Sequence, residues 1–433
     1  MSVNKLKQFK EKVTPQGSFK ANVLTLMAGT AIAQIITVAI SPILTRLFSP
    51  SAFGIFGIYL SIVSIVTAVV TLRYDQALIL PKENKEAAHL FWASLLSVAA
   101  ISGLSLILCV LFFKEILLIV NAQELNGWIL FLPFSIFFSG IYQTLNSWST
   151  RSKQFKRASI SLVTRSVTGS SVQIFSGFAN SGFGGLIGGS ILGDFLASLT
   201  LAFQVKRDDK NILKDGLRRD SISQFARQYS DFPLYSSPQN FLNAISQNIP
   251  LLLLAKFFGP AIVGFYAIGI RILQLPMNFV LISLRQVFFQ KASEVYNSGG
   301  NTYALFKKTT VWLLTTAVIP ALIVILFGPK IFGFVLGDSW VVSGEYARWL
   351  TIWLYFSFAN VPAIIFYQIL RKQKTLFLLD SLLLLCRVAA LLWGGLILKD
   401  PWKTIVLYSL VGAAFNFFFI AAMRQTLRKR QYS

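Results

Sequence analysis

The chain has 433 residues, of which 55% are apolar and 13% charged, with a mean hydropathy of +0.63 and a formal net charge of +23. Soluble domains carry about 25% charged residues, so this composition excludes a water-soluble globular fold and describes an integral membrane protein. The net charge alone would suit a nucleic-acid ligand, and the placement of the basic residues decides against one.

A membrane span needs roughly 20 mostly apolar residues. Twelve such stretches are predicted, near 21–47, 53–72, 88–113, 126–147, 158–180, 183–205, 232–255, 261–284, 310–329, 346–369, 375–398 and 402–423. Alternate connections then collect the basic residues: Lys5, Lys7, Lys10, Lys12 and Lys20, then Lys82 and Lys85, then Arg151, Lys153, Lys156 and Arg157. The pattern continues through Lys206 to Arg227, Lys291, Lys307 and Lys308, Arg371 to Lys374, and Arg424 to Arg430, while the opposite loops keep few, such as Lys114, Lys330, Lys399 and Lys403. This positive-inside bias makes the basicity a record of topology and of attraction to anionic lipid heads. Both termini are expected in the cytoplasm, with no cleavable signal and no nucleic-acid partner. Cys109 and Cys386 each fall in a predicted span and suggest neither a disulfide nor a zinc site.

In chain order, residues 1–20 read as a basic cytoplasmic tail, and residues 21–205 as an N-lobe of six spans. Span one carries Thr30, Gln34, Thr37 and Ser41 on one helix face, to be read as a cavity wall or as interhelical hydrogen bonding. Span two ends in Arg73, Tyr74, Asp75 and Gln76 near the inner boundary, where charged side chains reach water cheaply. His89, without a second histidine or a nearby thiolate, reads as structural and gives no metal site.

Span five places Ser161, Arg165 and Thr168 on one face. Span six holds Gly184, Gly185, Gly188, Gly189 and Gly193, a pattern that lets another helix approach closely, followed by Asp194 at mid-depth. A carboxylate there needs a partner, a proton or a coupling cation. Residues 206–228 form a charged cytoplasmic linker, residues 229–424 a C-lobe of spans seven to twelve, and residues 425–433 a second cytoplasmic tail. Span seven aligns Asn240, Asn243 and Gln247 among Pro233, Pro238 and Pro250; span eight aligns Arg271, Gln274 and Asn278 beside Pro276; span eleven sets Asp380 and Arg387 two turns apart.

The two lobes read as parallel repeats. Leu44–Phe56 (LTRLFSPSAFGIF) aligns without gaps on Leu254–Tyr266 (LAKFFGPAIVGFY), so that Leu, Phe, Pro and Gly coincide and Arg46 faces Lys256. Arg285 echoes Arg73 at nearly the same offset. Gly-Lys does not occur, so there is no Walker nucleotide loop, and no large external loop offers room for a catalytic domain. The expectation is a non-enzyme without cofactors. Arg165, Arg271 and Arg387 lie at bilayer depth, where a guanidinium must face water, an anion or a carboxylate. Two readings follow: a cationic chamber for a phosphate or carboxylate, or internal salt bridges to Asp194 or Asp380.

The hairpin LTRLFSPSAFGIFGIY, the RYDQALILP after span two, and above all DFPLYSSPQNFLNAISQNIPLLLLAKFFGPAIVGFYAIGIRILQLP resemble the bacterial polysaccharide flippases of the multidrug, oligosaccharidyl-lipid and polysaccharide exporter superfamily. The resemblance implies an all-α protein of about twelve spans in two six-helix lobes, V-shaped around a central cavity. It implies translocation of an undecaprenyl-diphosphate-linked oligosaccharide across the inner membrane by alternating access, driven by an ion gradient, for O-antigen or capsule synthesis. Membrane lipids, a polysaccharide polymerase and glycosyltransferases are the expected partners. Depth and polarity nominate Arg165, Arg271, Arg387, Asn243, Gln247, Gln274 and Gln34 for the substrate, and Asp194 and Asp380 for ion coupling. Export of small drugs, or glycan polymerisation or ligation, are the alternatives.

Overall fold

The computed structural model describes residues 19–119, 121–217 and 219–432. The expected tail over residues 1–20 therefore lies, up to residue 18, outside the described residues. The order of helices is α1 (Phe19–Leu47), α2 (Pro50–Thr67), α3 (Tyr74–Ala77), α4 (Asn84–Leu111), α5 (Phe113–Ile119), α6 (Leu132–Arg151), α7 (Phe155–Phe178) and α8 (Phe183–Asp215). It continues with α9 (Arg219–Gln228), α10 (Ser237–Phe258), α11 (Pro260–Asn297), α12 (Thr302–Leu336), α13 (Val341–Ala359), α14 (Val361–Ile369), α15 (Gln373–Trp393) and α16 (Pro401–Tyr432). Backbone polar groups have no water partner in hydrocarbon, and helices satisfy them within one segment.

Among the described residues, eleven helical stretches are long and apolar enough to cross a membrane. The predicted fifth span, now α7, is missing from that set: it is a helix of 24 residues, and its Ser, Thr, Gln and Arg content makes it too polar. Its surroundings explain how it is tolerated, since it packs along both α1 and α8.

The chain divides into two compact units, the first made of Met1–Phe48, Tyr59–Ile119 and Gln123–Asn248, the second of Ser49–Ile58, Val120–Ala122 and Ile249–Ser433. In the first unit, glycines set the approach of α7 to α8. A Cβ added at Gly193 would stand 2.9 Å from the Arg165 carbonyl oxygen, and one at Gly169 3.2 Å from the Gly189 carbonyl oxygen. The polar stripe of α1 faces α7, where Thr37 Oγ1 lies 3.2 Å from Ser166 Oγ and Ser166 Oγ donates to the Ala33 carbonyl at 2.9 Å. Interhelical hydrogen bonding is thus what that stripe does at Thr37.

Within the charged stretch 206–228, α8 runs on to Asp215 and α9 begins at Arg219, and both pack against the first unit. Leu213 joins a core with Leu90, Phe91, Leu145 and Trp148, against which Phe225 also packs. The buried Arg157 pairs with Asp208 and Asp209 at 2.8 Å each, and Trp148 Nε1 donates to Asp209 at 3.1 Å. His89 Nδ1 lies 2.9 Å from the Gly216 carbonyl oxygen, and its ring stacks on Phe225, in agreement with a structural role.

In the second unit, the repeated sequence motifs meet each other. Pro50 and Pro260 each open a helix, where a missing N–H costs nothing. One turn on, Gly54 lies against the Pro260 carbonyl oxygen, and Gly264 lies reciprocally against that of Pro50. A side chain at either position would collide with a backbone oxygen, which cannot rotate away. The second echo, Arg73 with Arg285, differs in backbone: α2 stops at Thr67, whereas α11 runs on through Pro276 and Arg285 to Asn297.

Overpacking of a tight contact typically costs about 1–3 kcal/mol and more where backbone must move. Gly54→Val and Gly264→Val are each expected to lower the melting temperature of the detergent-solubilised protein and its monodisperse yield. Gly103→Ala, where an added Cβ meets nothing within 4 Å, should leave both unchanged.

Candidate functional site

The first unit contains two adjoining cavities of about 480 and 370 Å³ that share Ser64, Thr67, Tyr142 and Gln143 in their walls. The smaller one surrounds an ion pair. Arg165 Nε on α7 pairs with Asp194 Oδ1 on α8, and Ser139 Oγ on α6 donates to Asp194 Oδ2 at 2.6 Å. The side chain of Asp194 is 5% exposed and that of Arg165 44%, so the carboxylate is sealed while the guanidinium faces the cavity. Arg165 also lies over the Tyr142 ring, 5.5 Å from its centroid. The glycine crossing of α7 and α8 produces this geometry, because Gly193 sits against the backbone of Arg165 one residue before Asp194.

The larger cavity is lined by carboxamides: Gln143 and Asn146 from α6, and Asn240, Asn243, Gln247 and Asn248 from α10. Gln247 Nε2 donates to Asn243 Oδ1 at 3.3 Å, and Asn248 Nδ2 to Ser64 Oγ at 3.2 Å. Arg73 and Asp75 complete the wall. After α2 ends, Leu72 and Arg73 adopt φ of +47° and +64°, a left-handed conformation that non-glycine residues enter only against strain. This double left-handed turn brings Arg73 and Asp75 into the cavity wall. Asp75 is 6% exposed and accepts from Thr71 Oγ1 at 2.6 Å, and Arg73 Nε is buried without a hydrogen-bond partner. Together the two cavities hold two guanidiniums and two carboxylates, a polar rather than a cationic lining.

Of the sequence-nominated residues, the structure brings Arg165 and Asp194 together and places Asn243 and Gln247 in the adjoining wall. Gln34 is half-buried on α1 and lines neither cavity. Arg271, Gln274, Asp380 and Arg387 belong to the second unit. Arg271 is exposed on α11 and Gln274 half-buried one turn later. Asp380 is exposed and has no ion pair among the described residues, with Arg387 or otherwise. The Arg387 guanidinium lies 4.1 Å from the Trp353 ring centroid and 4.9 Å from that of Tyr408, against Gly412, where any side chain would collide with it. Its Nε and Nη2 have no hydrogen-bond partner, so the two aromatic faces carry its charge.

Arg73, Asp75, Tyr142, Gln143, Asn146 and Asn248 were not foreseen as cavity residues. For α6 the signal was present: Ser135, Ser139, Gln143 and Ser147 recur every four residues, the spacing that singled out Thr30 and Gln34. For Arg73 and Asp75 it was not, since two successive left-handed residues leave no mark in side-chain chemistry.

A family model described as polysaccharide biosynthesis protein matches residues 43–345, more than half of the chain. The chain belongs to this family. Its fold is shared with an inward-facing multidrug resistance MATE family transporter of the MOP superfamily, with a TM-score of 0.71 at 16% identity over 93% of this chain and 99% of that one. The lipid II flippase MurJ in an inward closed conformation gives 0.70 at 14% identity, over 92% and 87%. An outward-facing MATE family transporter gives 0.57 at 14%, over 94% and 96%. At these identities the likeness is one of fold, and it shows the all-helical, multi-pass membrane architecture expected from the sequence. Comparison with curated proteins finds no match.

The unequal exposure of the ion pair makes a prediction. Removing one member of a buried charge pair strands the other, at about 1–3 kcal/mol or more. Arg165→Ala strands a sealed carboxylate, whereas Asp194→Asn leaves an arginine that cavity water can solvate. The melting temperature is expected to fall further for Arg165→Ala than for Asp194→Asn, and the Arg165→Gln/Asp194→Asn double variant to recover much of the loss.

Proposed function

We propose that this protein moves an undecaprenyl-diphosphate-linked oligosaccharide from the inner to the outer leaflet of the bacterial plasma membrane for cell-surface polysaccharide synthesis, with both termini in the cytoplasm. The observation that carries the reading is the carboxamide-lined cavity inside a membrane-spanning bundle. Gln and Asn both donate and accept hydrogen bonds, as sugar hydroxyls do, and an amide wall matches a glycan without committing to a charge. The exposed face of Arg165 and the side chain of Arg73 in the wall of the larger cavity would take phosphate oxygens. The lipid tail has no need to leave hydrocarbon, so only the polar head requires a protein path. Membership in a polysaccharide biosynthesis family supports this substrate class, as does the shared fold with a lipid II flippase.

Translocation is coupled to an ion gradient in this reading, with Asp194 as the carboxylate whose pairing with Arg165 a proton or cation would compete for. The shared fold with a multidrug transporter supports a second reading, export of small drugs. The amide lining argues against it, because cationic amphiphiles are held best by apolar and acidic walls.

Each lost hydrogen bond in the cavity is worth about 0.5–1.5 kcal/mol, so two together weaken head binding by roughly tenfold. Asn243→Ala/Gln247→Ala is expected to insert normally, to cut surface polysaccharide about tenfold in cells, and to leave drug susceptibility unchanged. Raised drug susceptibility with normal polysaccharide would favour the second reading. In vesicles loaded with a fluorescent lipid-linked oligosaccharide, collapse of all ion gradients is expected to stop net transfer by the unaltered protein; transfer at the original rate would exclude coupling.

A further inference from the structure

The second unit holds a groove that neither the repeat nor the substrate reading uses. Helices α11 and α12 are joined by only four residues, 298–301, yet they leave a cavity of about 810 Å³ between them. That is within the roughly 300–1,000 Å³ of sites that hold small molecules. Its walls are ordered from end to end. Leu284, Val287 and Phe288 from α11 face Val311 and Trp312 from α12, and one or two turns towards the connecting loop come Lys291, Lys307 and Lys308. Val287 is 69% exposed and Trp312 51%, so the groove is open along the surface of the unit.

The charge at the lysine end is one-sided. Between residues 232 and 337 the sequence holds a single acidic residue, Glu294, and it bonds Lys291 at 3.1 Å. Lys307 and Lys308 have no carboxylate partner among the described residues. Arg424 and Arg428 from α16, a helix without any acidic residue, add to the field around Tyr303 beside them. An apolar trough that ends in unpaired cations is complementary to a molecule with a hydrocarbon tail and an anionic head.

We propose that this groove binds an anionic glycerophospholipid of the surrounding bilayer, with an acyl chain along Val287, Val311 and Trp312 and the phosphate on Lys307 and Lys308. A zwitterionic lipid would fill the trough equally well but bring its own cation to the lysines. A lysine near an anionic lipid surface is worth about fivefold in affinity, and two together about 25-fold. The groove shares no lining residue with the amide-lined cavity, so its occupancy does not depend on the transport reading.

The full-length protein reconstituted in phosphatidylcholine vesicles, with increasing phosphatidylglycerol brominated on its acyl chains, tests this. Bromine quenches tryptophan on contact, and the part due to Trp312 is the difference between the unaltered protein and Trp312→Phe. Half-maximal quenching of Trp312 is expected at a roughly 25-fold lower fraction of brominated phosphatidylglycerol than of brominated phosphatidylcholine. Lys307→Gln/Lys308→Gln should abolish that preference while leaving quenching itself, and Lys307→Arg/Lys308→Arg should retain it. Equal quenching by the two lipids, or a preference unchanged by the glutamine variant, would overturn the proposal. So would preferential displacement of phosphatidylglycerol by undecaprenyl diphosphate, which would make the groove part of the substrate path.

Discussion

An ionised side chain cannot rest unpaired in hydrocarbon, and the first unit is arranged around one solution to that constraint, Arg165 on Asp194. The pair forms because α7 and α8 approach to backbone contact at Gly169, Gly189 and Gly193. A larger residue at Gly189 or Gly193 would press on facing backbone and push the helices apart, disturbing the sealed carboxylate and the Ser139 bond to it. The pair in turn permits α7 to be polar. A helix with that content of Ser, Thr and Gln would be costly to surround with lipid, and it lies against α1 and α8 with its arginine in a cavity wall.

The same constraint shapes the adjoining wall. Six carboxamides around one cavity would be costly to bury dry, since each brings donors and acceptors that must all be met. They bond partly to one another, as Gln247 does to Asn243, and the remainder of their capacity faces the open space. A wall of this kind has a standing requirement for water or for a ligand rich in hydroxyls. Its specificity would come from the cost of leaving amides unmet by an apolar ligand rather than from attraction to charge.

Much of this was legible in the sequence. Helix positions, the glycine crossing, a carboxylate in need of a partner and the amide face of α10 all follow from spacing, because a helix turns periodicity directly into a face. What escaped notice has two distinct causes. The α6 stripe of Ser135, Ser139 and Gln143 was readable but lay among aromatic residues that masked it. The turn at Leu72 and Arg73 was not readable, because its left-handed backbone is imposed by its surroundings and not by a glycine. Two arginines expected within spans also met different fates for reasons of tertiary packing: Arg165 found a carboxylate, whereas Arg387, seven residues from Asp380, found Trp353 and Tyr408 instead.

The internal repeat shows which features a duplicated segment can keep. Leu44–Phe56 and Leu254–Tyr266 share the residues that fix backbone, a proline that opens a helix and a glycine that admits a neighbouring carbonyl, and these are the residues by which the two copies touch. Downstream, the copies part. The α2 copy stops at Thr67 and turns through Arg73 to build a cavity wall, while the α11 copy runs on, absorbs Pro276, and carries Arg285 along an unbroken helix. A reciprocal contact constrains both copies at once, because a side chain at either glycine breaks the same crossing. A cavity wall constrains only the copy that forms it. The repeat is therefore visible where the chain meets itself and faint downstream, where Arg73 and Arg285 line different cavities from differently folded backbone.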